Sequence, residues 1–276
     1  MTQTAPKTGR LRDFGVRLAT ALAIGVAFIG SIVFMGPVGL ALVVAVVATA
    51  AAAEFFGILR RERRLPNELF GLAAVAAMPF AAAFRGLEGL TAVISLLVIG
   101  SLLWHLAFKQ VRASDTAVTV FGAVYVGFAL AHLVLIRQLD GGTELALATV
   151  ASVWANDTFA YLVGTSIGRH KMAPHISPNK SWEGFIAGTL FTTAVWVALA
   201  FLTDTGLSIW WLVFVGIAAS LAAVVGDLAE SRLKREAALK DSGNMLPGHG
   251  GFLDRFDSMI LVSIVTYYML VFAGAK

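Results

Sequence analysis

Between Ser231 and Asp257 the chain reads SRLKREAALKDSGNMLPGHGGFLDRFD, a charged, glycine-rich stretch set between two long apolar runs. Arg232, Lys234, Arg235 and Lys240 stand near its start, and basic residues grouped in this way can hold several phosphates. Asp254 and Asp257 stand at its end and can hold divalent cations. That pairing is the chemistry of nucleotidyl transfer. The two aspartates are helical neighbours if a helix has begun by Asp254, and as partners of Arg255 they would form no more than salt bridges. Upstream, Asp227 follows Gly226 near the end of an apolar run, with Glu230 one turn further on. Asp227 is either a solvated helix end or the third carboxylate of a set that seats two divalent ions. The amides of KDSGNMLPGHGG could wrap phosphate, and His249 within it is a metal ligand, a phosphate donor or a plain loop residue.

A second polar cluster runs from Trp154 to Gly184. Asn156, Asp157 and Tyr161 fall roughly on one side of a helix, inside an apolar run. An ionised Asp in hydrocarbon is costly, so Asp157 is expected to face a wet cavity or a cation. Beyond it, Ser177, Asn179, Lys180 and Ser181 make a dense set of donors, stiffened by Pro178. Ser181 before Trp182 and Glu183 looks like an ordinary helix N-cap. A helix start also favours anions, and Lys180 is the preferred phosphate contact.

The elements that must position these residues are membrane helices. At 276 residues, 58% hydrophobic and 14% charged, the chain has more apolar surface than one soluble core would bury. With no cysteine, metal binding must rest on oxygen ligands or histidine, which favours hard cations such as magnesium. The polar start, Met1 to Asp13, leads into an apolar run without a small-residue cleavage site and is read as preceding a retained helix. An all-α, polytopic membrane protein follows, with spans near 15 to 33, 36 to 58, 68 to 84, 88 to 108, 115 to 137, 143 to 166, 182 to 203, 207 to 229 and 255 to 273. The third is short, contains Pro79, and is either a span or a re-entrant piece paired with the fourth. Glu54, His105 and His132 are read as interfacial or helix-packing residues before cavity residues.

Basic residues fall in alternate connections: Lys7, Arg10 and Arg12; Arg60, Arg61, Arg63 and Arg64; Lys109 and Arg112; Arg169, Lys171 and Lys180; then the cluster after Ser231. The positive-inside rule therefore puts the N-terminus and both polar loops in the cytoplasm and the C-terminus outside. One membrane domain, 1–276, is expected, with helices facing lipid or forming an acyl-chain cavity in 1–140 and the chemistry in 141–276.

The stretch from Ser231 to Asp257 resembles the signature of the phosphatidate cytidylyltransferases, the CDP-diacylglycerol synthases. Ser231, Lys234, Arg235, Lys240, Asp241, Gly243, Pro247, His249, Gly250, Gly251, Asp254, Arg255 and Asp257 all fall in register. WANDTFAYLVG and SPNKSWEG are also similar to that family's sequences. The resemblance implies a polytopic enzyme, commonly dimeric, in the cytoplasmic membrane, which uses CTP, phosphatidic acid and magnesium, with potassium as a further ion and no nucleic acid. It implies metal-binding roles for Asp227, Asp254 and Asp257, and triphosphate or lipid-phosphate contacts for Lys234, Arg235, Lys240 and His249. Ser177, Asn179 and Lys180 would complete the pocket. A transferase acting on an ether or isoprenoid lipid phosphate is the nearest alternative. An anion transporter is the distant one, since neither an internal repeat nor a pair of broken helices is evident.

Overall fold

Apolar segments in lipid must satisfy their own backbone hydrogen bonds, and helices do so. A computed structural model describes residues 7–246 and 250–276, with side chains from Ala19 onward. Its helices are α1 (Lys7–Phe34), α2 (Gly36–Arg61), α3 (Glu68–Ala107), α4 (Ala113–Gly122), α5 (Ala129–Gln138), α6 (Gly142–Ile167), α7 (Trp182–Leu202), α8 (Ile209–Glu236) and α9 (Leu253–Phe272). A π-helical turn, Ala123–Phe128, joins α4 and α5 into one rod.

The third helix is folded back on itself. Gly86 leaves helical geometry at φ 57° and ψ −142°, a conformation that glycine adopts without steric cost. As a result the rings of Phe70 and Trp104 lie 6.1 Å apart. A straight helix would separate them by about 50 Å. The two arms correspond to the segments expected at 68 to 84 and 88 to 108.

Among the described residues, six segments are long and apolar enough to cross a membrane: α2, α3 taken as one, the α4–α5 rod, α7, α8 and α9. The Ala19–Phe34 part of α1 is a shorter apolar helix. Asn156 and Asp157 lower the hydropathy of α6, which is not among the six.

Two features depart from the expected connections. The eighth helix was expected to end near 229 but runs on to Glu236, because RLKRE is a good helix former and is laced by the i, i+4 pairs Glu230–Lys234 and Arg232–Glu236. Ser231, Lys234 and Arg235 are therefore helical. The loop after α6 contains an antiparallel pair, β1 (Lys171–Ala173) and β2 (Ser177–Ser181), which turns at Pro174 and His175.

The last helix is the hub of the fold. It packs on α8, α5, α6 and α2, while α6, α7 and α8 pack in sequence beside it. The apolar core runs through both halves of the chain, from Phe28 and Phe55 to Leu253 and Ile260. The ends of α2, α6 and α8 and the starts of α7 and α9 meet at one end of the bundle, where Lys180, Asp227 and Asp254 converge with Glu54. At the other end, the Asp140 amide donates to the terminal Lys276 oxygen.

Candidate active site

Extension of α8 by two turns turns Lys234 inward. Its ammonium lies 2.6 Å from Glu230 Oε2, one turn back, and 2.6 Å from Asp254 Oδ1, in the first turn of α9. Glu230 is fully buried, and its Oε1 has no partner. Asp254 also accepts from the Ser242 amide (2.9 Å to Oδ2), the Ser242 hydroxyl (2.9 Å) and the Gly251 amide (2.9 Å). One carboxylate thus ties the end of α8, both limbs of the glycine-rich loop and the start of α9 together. From α2, Glu54 reaches the same loop: its Oε2 accepts from the Leu253 amide (2.9 Å) and stands 3.0 Å from the Ser242 hydroxyl, whose single proton serves either Glu54 or Asp254.

A second ion pair lies beside the first. Lys180 Nζ, on β2, stands 2.7 Å from Asp227 Oδ2, and the Ser231 hydroxyl donates to Asp227 Oδ1 at 3.2 Å. Ser181, next to Lys180, caps α7 by accepting from the Gly184 amide at 3.2 Å, as its position suggested. Asp257 accepts from the Ser258 amide at 2.7 Å, and the carboxylates of Asp227, Glu230 and Asp157 are near enough to act on its charge. At Gly226 the backbones of α8 and α9 touch: any side chain there would strike the Asp257 carbonyl.

Two cavities open here and share a wall. The polar one, about 240 Å³, is lined by Asp157, Tyr161, Ser177, Asn179, Lys180 and Asp227, among others. The other, about 540 Å³, lies between α1, α6 and α9 and is apolar along Leu22, Val26, Phe28, Val153 and Trp154, with Asp254, Arg255 and Asp257 also in its lining. Asp157 lines both cavities. Asn156 is buried and accepts from the Ser220 hydroxyl of α8 at 2.9 Å, so it holds α6 to α8 within the wall of the polar cavity.

Other expected site residues stand apart. Of the four basic residues near Ser231, Lys234 alone joins the buried network. Arg232 pairs with Glu236, Arg235 donates to the Leu239 carbonyl at 2.9 Å, and Lys240 and Asp241 are exposed. They sit on the outer face of the extended helix and just past its end, away from the cavities. Gly250 takes φ 83° beside Asp254, and Gly251 is pressed against Glu54 and Ser242. His249 lies outside the described residues.

Asp227, Asp254 and Asp257 do not form one ligand sphere, and among the described residues no three His, Asp or Glu side chains are grouped to cage a metal. The reason is local: ammonium, amide and hydroxyl donors occupy Asp254, and Lys180 occupies Asp227. The arrangement fits the other common magnesium mode, in which one or two carboxylates share the ion with substrate phosphates. Asp227, whose Oδ2 is paired with Lys180, and Asp257 are the carboxylates that could share an ion with phosphates in that way.

Fold and site together define a helical membrane-type protein whose lysines and carboxylates meet at one end of the bundle, where a polar cavity adjoins an apolar one. The chain belongs to the Cytidylyltransferase family, whose family model matches residues 15–273. It is 41% identical over 157 residues to the phosphatidate cytidylyltransferase of Staphylococcus haemolyticus, covering 57% of this chain and 60% of that protein. It is 40% identical over 150 residues to the phosphatidate cytidylyltransferase of Bacillus subtilis, covering 54% of this chain and 55% of that one. The matches thus span between 55 and 60% of the length of these curated relatives.

Proposed function

We propose that this protein is a phosphatidate cytidylyltransferase, converting CTP and phosphatidic acid to CDP-diacylglycerol and pyrophosphate. The observation that carries the proposal is the shared wall of the two cavities at Asp157, which gives a polar nucleotide and a lipid adjoining places to meet. A lipid-phosphate oxygen attacks the CTP α-phosphorus, the bond to the bridging β-phosphate oxygen breaks, and pyrophosphate leaves with the electron pair. The nucleophile is already an anion, so the residues have to bring two anions together, align them and offset charge on the leaving group.

Lys180, with Ser177 and Asn179, would hold the triphosphate in the polar cavity. Arg255, in the lining of the apolar cavity, would meet the lipid phosphate. Ser231 steadies Asp227, while Lys234 and Asp254 shape the glycine-rich loop behind the site. Bound magnesium would offset phosphate charge, held by Asp227 and Asp257 together with the phosphates themselves.

We further propose nine crossings, counting both arms of α3 with α1 and α6, in the cytoplasmic membrane, with a homodimer as the assembly. Arg60, Arg61, Arg63 and Arg64 share the α2 end with Glu54, which supports a cytoplasmic placement of the site. That placement gives access to cytosolic CTP.

The test is pyrophosphate release by the purified protein in detergent, with CTP, phosphatidic acid and magnesium omitted in turn. Release that needs all three, with a CDP-lipid product, supports the proposal. Release with an ether-linked or isoprenoid phosphate alone would move the assignment to that lipid class. Folded protein inactive with every acceptor would overturn it.

A further inference from the structure

We propose that Glu54, in the half of the chain that carries none of the motifs, is a positioning residue for the catalytic loop and fixes where α9 begins. The inference rests on the functional reading above for its kinetics, though not for its geometry. Glu54 is 6% exposed within α2, an otherwise apolar helix, where an unpartnered acid would be costly. Its Oε2 accepts from the amide of Leu253, the first residue of α9, and stands 3.0 Å from the Ser242 hydroxyl, whose one proton is shared between Glu54 and Asp254. One oxygen therefore joins the two limbs of the loop. An amide at a helix start lacks a partner within the helix, and a negative charge is favoured there. The Ser242 hydroxyl lies between Glu54 and Asp254, so the position of Glu54 is passed on to Asp254 and the helix that carries Asp257.

Two glycines make this contact possible. A Cβ at Gly243 or Gly251 would overlap the Glu54 carboxylate, so the loop backbone is moulded on it. Glu54 lines a separate cavity of about 380 Å³ with Arg60, Arg61 and Ser242, and neither of the two cavities of the site. It acts through Ser242 and Leu253.

The experiment compares Glu54→Gln, Glu54→Asp and Glu54→Ala in the full chain, by hydrogen–deuterium exchange and by steady-state kinetics. A Gln carbonyl accepts two hydrogen bonds from the same position, so E54Q should keep wild-type exchange at Leu253 and kcat within about tenfold. E54D draws the oxygens back by a methylene and E54A removes them. Both should exchange faster at Leu253 and lose about 100-fold in kcat, as a displaced site does, with a smaller change in KM for CTP. Should E54A fail to fold, E54D decides. Wild-type exchange at Leu253 in E54D, or E54Q as impaired as E54D, would overturn the inference. A wild-type protein inactive with CTP and phosphatidic acid would sink the functional reading alone, and the exchange arm would still decide the role of Glu54.

Discussion

Lys180 Nζ and Asp227 Oδ2 meet at 2.7 Å across the polar cavity, joining β2 to α8. Both side chains keep partial solvent contact, 22% and 35%, so the pair contributes little to stability. If Lys180 serves the triphosphate, Lys180→Met should raise the KM for CTP about tenfold or more. Its thermal unfolding in detergent should move by the equivalent of less than about 1 kcal/mol. An unchanged KM would remove Lys180 from nucleotide binding.

The pair beneath it behaves differently, because Glu230 and Lys234 are buried. Lys234→Met leaves Glu230 and Asp254 facing each other without a counter-charge and should destabilise the protein by about 3–5 kcal/mol. Adding Glu230→Gln removes one of those charges and should recover part of the loss. Thermal unfolding of the two single variants and the double variant gives the coupling. Simple additivity would show that the network is not energetically joined.

Much of the bundle could be read from the chain, because apolar length and punctuation act locally. The segment expected at 182 to 203 is α7, Trp182–Leu202, started by the Ser181 cap, and that at 115 to 137 is the α4–α5 rod. The turn at Gly86 lies in the gap between the third and fourth expected spans. The reach of α8 is not legible in this way, because a charged stretch reads as a loop, whereas i, i+4 pairs keep a charged helix intact. The difference changes the site, since helical phase sends Lys234 inward and Arg232 and Arg235 outward. Glu54 was passed over as a packing residue. A lone acid in an apolar run was the available signal, but its partners, Ser242 and Leu253, are far along the chain, and no local pattern names them.

Gly251 lies where three elements press together. A Cβ there would overlap the Ser242 hydroxyl and the Glu54 carboxylate. Gly251→Ala should cost about 1–3 kcal/mol through displacement of the loop. Because the Gly251 amide also serves Asp254, kcat should fall by more than KM for CTP rises. Wild-type kinetics in this variant would mean that the loop tolerates movement and that its shape does not govern turnover.

If the apolar cavity takes the acyl chains, a change confined to it should separate lipid binding from nucleotide binding. On its α1 wall, the first side-chain carbon of a residue replacing Gly25 would sit 3.5 Å from the Trp154 ring, an ordinary contact, so Gly25→Leu should fold. The remaining atoms of that leucine have to occupy the cavity. Long-chain phosphatidic acid should then bind more weakly, its KM rising severalfold, because each displaced methylene forfeits about 0.8 kcal/mol of burial. A short-chain acceptor should be less affected, and the KM for CTP should not change, since Gly25 does not line the polar cavity. Kinetics with matched long-chain and short-chain acceptors make the comparison. An equal loss with both would place the acyl chains elsewhere, and a rise in the KM for CTP would mean that the two cavities do not hold separate substrates.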